Sequence, residues 1–161
     1  MKKYLFLVLM LVPMLGFVSC SDDDGDDLPQ VEFNFETEGT VSVDGLLYVV
    51  QGETFKITAI NVTNKEANKA AGIVSAAYYW DGYYLGTTAL PPFAFEFVTS
   101  EDTSIGTHQI QVECPVYAVD KELANAVVTL NVEVVASADD IPTSPSQGGS
   151  STFTPTITKA K

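Results

Sequence analysis

In residues 76–98 the chain reads AAYYWDGYYLGTTALPPFAFEFV, and this stretch decides the fold. Its first part is rich in tyrosine and ends at Asp81-Gly82, a dipeptide that readily adopts the positive φ angles of a two-residue hairpin turn. A second short segment follows, and a Pro-Pro pair separates it from a third in which phenylalanines stand at every second position. A period of two is the pattern of a strand with one buried face. The stretch therefore predicts three consecutive strands, the first two of which form a hairpin.

The same pattern continues on both sides, across residues 31–136. Runs rich in Val, Ile, Thr, Phe and Tyr are bounded by turn residues, and they predict strands at 31–35, 41–43, 46–50, 54–62, 73–80, 83–88, 93–98, 107–117 and 126–135. No amphipathic run reaches the roughly 12 residues of a typical helix, which argues against a helical fold. Seven to nine short strands in about 105 residues fit two antiparallel sheets packed face to face. We therefore predict an all-β sandwich.

Four short motifs in this region resemble those of a known class of domain. They are Trp80-Asp81-Gly82, Leu85-Gly86-Thr87, Pro92-Phe93 and Gly106-Thr107-His108, each at the start or end of a predicted strand. In this order they resemble the bacterial Ig-like domains of cell-surface proteins, closely over residues 76–135 and in outline over 31–136. The resemblance implies an Ig-like antiparallel β-sandwich, a fold that does not by itself specify a function.

The first 19 residues have the layout of a secretory signal. Lys2 and Lys3 precede an apolar stretch at 4–17, and Val18-Ser19 supply modest side chains before Cys20. The apolar stretch contains a proline and a glycine and is shorter than the roughly 20 apolar residues that a membrane-spanning helix needs. We expect a cleaved signal peptide over residues 1–19.

Cys20 and the acids that follow it refine this expectation. The leader and Cys20 resemble a bacterial lipoprotein signal, in which the cysteine becomes the lipidated first residue of the mature chain. The run Ser21, Asp22, Asp23, Asp24 resembles the acidic export signal of surface lipoproteins in Bacteroides-like bacteria. The resemblance implies a lipid on Cys20 that holds the protein in the outer membrane, facing the cell exterior. A plain signal peptide with an incidental cysteine is the alternative.

Composition divides the mature chain into three parts. Residues 20–30 are acidic and are predicted to form a tether, and residues 31–136 form the predicted Ig-like sandwich. Residues 137–161 are dominated by Ser, Thr, Pro and Gly and are predicted to be a flexible tail. The tail contains the alternating segment TFTPTIT, which could extend a sheet edge, although Pro155 argues against a central strand.

The charge of the chain limits its partners. The sequence has no arginine and a formal net charge of −13, and without residues 1–19 it keeps six lysines and 21 acids, a charge of −15. Binding to nucleic acid needs cations that displace condensed counterions, so we predict no nucleic-acid partner. Once Cys20 is acylated, Cys114 is the remaining cysteine and no internal disulfide can form. Cys114 alternates with apolar residues, so we predict a buried strand cysteine.

No residue pattern marks a catalytic or metal site. His108 is the single histidine, and no recognisable motif places a serine or cysteine nucleophile near it. The resemblance to bacterial Ig-like domains implies a histidine at a strand start whose ring hydrogen-bonds to the backbone, so we expect that role and not a general base. Glu96, Glu113 and Glu133 alternate with apolar residues, so we expect them on the solvated faces of strands. Loop carboxylates lack the spacing of a calcium-binding loop. We predict no enzyme, no metal site and no cofactor.

The aromatic residues around the Asp-Gly turn are the best candidates for ligand binding. Sugars stack on flat aromatic faces, which makes Tyr79, Trp80, Tyr83 and Tyr84 a candidate site. The alternative is packing, because cross-strand aromatic pairs stabilise hairpins. If Tyr78 points inward, alternation puts Trp80 on the same face and leaves Tyr79 and one of the returning tyrosines exposed.

These observations leave three functional hypotheses. The first is a non-catalytic, lipid-anchored surface module for adhesion, spacing or assembly with another surface protein. The second is a glycan-binding accessory lipoprotein of a polysaccharide-uptake system, suggested by the tyrosine-rich hairpin. A hydrolase is the third, and the absence of a nucleophile motif argues against it.

Overall fold

The computed structural model describes residues 27–142 and 150–160, which form an all-β structure of two sheets. Within these ranges lie twelve strands and one turn of 3-10 helix, Ala138–Asp140. The strands are β1 (Val31–Glu38), β2 (Val41–Val43), β3 (Leu46–Val50), β4 (Thr54–Asn64), β5 (Ala71–Ile73), β6 (Ala76–Trp80), β7 (Tyr83–Thr88), β8 (Phe95–Val98), β9 (Gly106–Ala118), β10 (Ala124–Val135), β11 (Ser150–Phe153) and β12 (Thr156–Lys159). The predicted all-β, Ig-like sandwich is confirmed.

The two sheets differ in size. The small sheet has the order β11-β1-β4-β8, and the large sheet has the order β2-β3-β10-β9-β6-β7, with β12 beside β10 and β5 beside β9. Neighbours are antiparallel except for β3 and β10, which run parallel. The structure has more strands than the seven to nine predicted. The predicted strand at 73–80 is divided into β5 and β6, and the C-terminal segment adds β11 and β12.

Alternation along the strands builds one core between the sheets. In β9, Ile110, Val112, Cys114 and Val116 are buried while the residues between them face outward. The small sheet contributes a layer of phenylalanines and isoleucines from β1, β4 and β8. Fully burying one such side chain stabilises the fold by about 1.5–3 kcal/mol, so the core supplies the stability that a disulfide would otherwise provide.

Cys114 is a small apolar residue of this core. Its side chain is buried, and burial raises the pKa of its thiol to about 12. The prediction of a buried strand cysteine is confirmed.

The C-terminal segment belongs to both sheets. β11 pairs with β1, with Phe153 opposite Phe33, and β12 pairs with the first residues of β10. The prediction of a flexible tail is therefore wrong for these eight residues of β11 and β12, whereas the suggestion of an added edge strand is right. Pro155 is accommodated because it lies between the two strands, where the chain passes from one sheet to the other and no ladder hydrogen bond is needed.

The two ends of the described chain meet at one end of the sandwich. Leu28 and Pro29 line a shared crevice with Pro155 and Ile157, and Leu28 packs against the core. The Glu122 N–H donates to the Asp27 carbonyl at 2.9 Å. The last part of the predicted tether is thus bound to the domain. In the described part of the chain no helix has the length and apolar character to cross a membrane.

Candidate functional site

The four candidate aromatic residues lie on two different faces of the β6–β7 hairpin. Next to the turn, Trp80 pairs with Tyr83 and Tyr79 pairs with Tyr84. The next pair is Tyr78 with Gly86, so Leu85 has no partner on β6 and forms a bulge in β7. Trp80 and Tyr83 line a groove at the open side of the sandwich. Tyr79 and Tyr84 lie on the outer face of the large sheet, in contact with each other. The single aromatic site predicted from the sequence is therefore two sites.

Tyr78 lies on the same face of β6 as Trp80 and points into the core. It is fully buried, and its ring stacks on Phe95 with centroids 4.4 Å apart. Its hydroxyl donates to the carbonyl oxygen of Phe93, and burial raises the pKa of the phenol to about 12. Of the two orientations that the sequence left open for Tyr78, the structure has the inward one. Trp80 points to the same side but is only half-buried. Its ring packs on that of Phe55, with centroids 6.2 Å apart.

The first site is an apolar groove of about 190 Å³ between the last strands of the two sheets. Trp80 and Phe97 form its inner wall, and Tyr83, Leu85 and Val98 stand around its mouth. Tyr83 is 76% exposed and Val98 is 72% exposed, so both present apolar surface to solvent beside the groove. The groove is a surface that protein contacts could cover.

A tightly held loop closes one end of this groove. Thr99 is buried and its hydroxyl donates to the Glu53 carbonyl at 2.6 Å. The side-chain amide of Gln51 donates to the carbonyl of Thr103 at 2.6 Å and to that of Glu101 at 3.0 Å. The loop backbone is thus fixed, while the side chains of Glu101 and Asp102 remain exposed.

The second site is the outer face of the large sheet. Tyr79 and Tyr84 meet edge to face, with centroids 5.5 Å apart. The Tyr79 hydroxyl donates to Glu113 at 3.3 Å, and the amide of Gln111 donates to the same carboxylate at 2.7 Å. Burial and the neighbouring Glu113 charge raise the pKa of Tyr79. Glu113 is partly covered on this solvated face, as predicted, and its orientation is fixed by two donors.

Beside these tyrosines the outer face is concave. A broad depression of about 450 Å³ has Ala77 and Pro115 on its floor and Thr87, Glu113 and Asn125 at its sides. Small floor residues and polar sides suit a polar ligand more than an apolar one.

His108 lies near the end of the first groove, in an arrangement that sequence reasoning did not find. Its Nδ1 is 2.6 Å from Asp81 Oδ2, its Nε2 is 3.2 Å from the Ser104 hydroxyl, and its ring stacks on Trp80 with centroids 4.9 Å apart. Asp81 also accepts the Gln109 N–H at 2.8 Å. Serine, histidine and aspartate in this order are the groups of a hydrolytic triad.

The hydrogen bonds of His108 argue against that chemistry. Its Nε2 lies closer to the Ser104 carbonyl oxygen, at 2.8 Å, than to the Ser104 hydroxyl. A carbonyl only accepts, so Nε2 carries a proton and has no lone pair to take one from serine. Burial opposes the charged ring, but the bonds to Asp81 and to the Ser104 carbonyl outweigh it and raise the pKa of His108. The expected bond to backbone is present, and the group works as a structural link.

The remaining sequence predictions concern the lipid anchor and metal binding. Cys20 and the acidic run Ser21, Asp22, Asp23, Asp24 fall outside the described residues. Among residues 27–142 and 150–160, no three His, Cys, Asp or Glu side chains are placed to hold a metal ion.

Comparison with known proteins identifies no family. No protein-family model matches the chain, and no curated protein matches it. A solved structure of the fibronectin(III)-like modules of Clostridium thermocellum CbhA aligns with 66% of this chain at 18% sequence identity and a TM-score of 0.39. The alignment spans 46% of that structure's chain.

Proposed function

We propose that this protein is a non-catalytic, lipid-anchored Ig-like module on the outer face of the outer membrane, where it assembles with another surface protein. The observation that carries the proposal is the apolar groove lined by Trp80, Tyr83, Leu85, Phe97 and Val98. Two sheet edges end beside it, and large apolar side chains stand exposed at its mouth. Exposed apolar surface of this kind is typical of protein interfaces.

Two further features support parts of the proposal. The leader, Cys20 and the acidic run favour a lipid anchor and export to the surface. The protonated Nε2 of His108 favours a non-catalytic role, because the one serine beside it has no base to activate it.

The experiment is site-specific photocrosslinking on intact cells that produce the full chain. A photoreactive phenylalanine analogue replaces Tyr83 at the groove or, as the control, Tyr117, which is half-exposed on β9. The proposal expects a discrete protein adduct from position 83 that is missing from position 117. Equal adducts from both positions, or none from position 83, would overturn it.

Glycan binding is a second candidate function, and the outer face of the large sheet favours it. Tyr79 and Tyr84 provide aromatic surface next to a depression with polar sides, and Glu113 is held in one orientation there. The negative charge of Glu113 repels acidic sugars, so we expect neutral sugars to bind there.

A glycan array of neutral and acidic oligosaccharides, probed with the mature chain carrying Cys20→Ser, tests this candidate. We expect neutral glycans to bind and the pair Tyr79→Ala and Tyr84→Ala to abolish binding. Tyr83→Ala is the matched control, since that tyrosine lies at the other site. Binding that survives the double substitution would exclude the outer face.

A further inference from the structure

We propose that the apolar groove receives a single large apolar side chain of the partner protein, and that lysine or arginine residues flank that side chain. The inference rests on the proposed assembly function and names the chemistry of the partner.

The size of the groove suits a side chain. Its volume of about 190 Å³ lies below the roughly 300–1,000 Å³ typical of small-molecule sites. Trp80 and Phe97 present aromatic surface inside, and Leu85 and Val98 surround the entrance. Interfaces commonly concentrate their binding energy in one aromatic or aliphatic side chain that fills such a pocket.

The bulge in β7 determines how the partner approaches. A partner strand that extended the large sheet would need a regular row of N–H and C=O groups along β7. Leu85 is the extra residue of the bulge and interrupts that row between Tyr84 and Gly86. Bulges of this kind blunt sheet edges against strand pairing. Insertion of a side chain beside Leu85 is therefore favoured over addition of a strand.

The charges near the groove determine what flanks the side chain. The strands and loop around its end carry the acids Glu53, Glu96, Glu101 and Asp102. Lys56 is the neighbouring cation on β4, and it pairs with Glu96 at 2.9 Å. The remaining negative charge attracts basic residues and opposes docking of a second copy, since the whole chain carries a net charge of −13.

Panning a random dodecapeptide phage library against the immobilised mature chain with Cys20→Ser tests the inference. We expect enrichment of peptides that place one Leu, Ile, Phe or Trp next to Lys or Arg. Trp80 is the single tryptophan of the chain, so its fluorescence reports directly whether a synthetic peptide enters the groove.

Substitutions at and away from the groove test where the peptides bind. Leu85→Lys and Val98→Lys alter exposed side chains and should each reduce peptide affinity at least tenfold, whereas Val119→Lys, which changes a side chain as exposed as Leu85 but away from the groove, should not. Replacing Glu101 and Asp102 by Gln and Asn should weaken binding roughly threefold to tenfold at low salt. Circular dichroism and the urea midpoint of each variant separate lost binding from lost folding.

Three results would overturn the inference. They are enriched peptides without basic residues, peptides that bind the Leu85→Lys variant as well as the parent, and no enrichment at all. Each of these leaves a position-specific adduct at residue 83 intact, so the proposed assembly function would stand while its proposed chemistry failed.

Discussion

His108 Nδ1 lies 2.6 Å from Asp81 Oδ2, and this contact joins the β6–β7 turn to the beginning of β9. Asp81 holds a φ of 48° in the turn and still reaches both the ring and the Gln109 N–H. The other side of the ring binds the Ser104 carbonyl, so one histidine links a turn, a strand and the loop before it. Trp80, which lines the groove, stacks on the same ring.

Removing the charge of Asp81 should lower stability. Asp81→Asn keeps a residue that tolerates positive φ but weakens the bonds to His108 and Gln109, and we expect a loss of about 1–2 kcal/mol. Urea unfolding of the mature chain with Cys20→Ser measures it. Asp44→Asn is the matched control, because Asp44 holds a similar φ of 51° in an exposed Asp-Gly turn and should change stability by less than about 0.5 kcal/mol. Equal effects at both turns would show that the His108 contact adds nothing.

The same link should make stability depend on pH. The folded pKa of His108 is raised, so the folded chain holds a proton that the unfolded chain releases near its usual pKa of about 6.5. The stabilisation is therefore complete below about pH 6.5 and is lost as pH rises through the higher folded pKa. Unfolding free energies from pH 5 to 9 should fall over this window in the parent and fall less in His108→Gln. Parallel curves for the two proteins would contradict the raised pKa.

Cys114 should be unreactive in the folded protein. Its burial and its thiol pKa of about 12 leave almost no thiolate at neutral pH. In the Cys20→Ser chain, where it is the one cysteine, labelling by a disulfide reagent at pH 8 should proceed no faster than unfolding. Urea should accelerate the reaction sharply, and rapid labelling in native buffer would contradict the burial.

The C-terminal strands should contribute to stability. Phe153 packs edge to face on Phe35 at 5.7 Å and is partly buried, so Phe153→Ala should cost about 1–2 kcal/mol. Thr156→Ala, an exposed position on β12, should be nearly neutral. Truncation after residue 142 should destabilise more than either, since it removes two paired strands. A truncated chain as stable as the parent would support the original prediction of a tail.

The anchor can be tested separately from the domain. Cys20→Ser should release the protein from membranes without unfolding residues 31–136, because the described domain does not include that residue. Replacing Asp22, Asp23 and Asp24 by alanine should leave the protein membrane-bound but protected from external protease. Fractionation and protease treatment of intact cells provide the readout. A Cys20→Ser protein that still sediments with membranes would show that no lipid on Cys20 holds it.

Local pattern was sufficient for much of the fold. Alternation placed Cys114 in the core and Glu113 on the solvated face of the same strand. These predictions succeed because period-2 burial is a property of each strand by itself. The same logic also placed a strand at residues 31–35 and at 54–62, close to the observed β1 and β4.

The candidate site was predicted less well because it depends on register. Alternation puts Tyr79 and Trp80 on opposite faces, but which returning tyrosine joins each of them depends on the pairing of Trp80 with Tyr83 and of Tyr79 with Tyr84. The letters Tyr-Tyr-Leu-Gly also carry no signal for the extra residue Leu85. Asp81 was fully explained as a turn residue, yet it also contacts His108. That contact exists only because β6 pairs with β9 so that Trp80 faces Ile110.

The meeting of the chain ends at the crevice of Leu28 and Pro155 gives the sandwich two distinct poles. The Asp81-Gly82 turn and the apolar groove lie at the opposite pole, near the start of β9, whose 13 residues span roughly 40 Å. If Cys20 carries a lipid, the pole at Leu28 is the one nearer to the attachment point along the chain, and the groove lies at the far pole. A partner that binds the groove would then meet the domain at the end away from its attachment, so that binding there need not compete with the anchor for space.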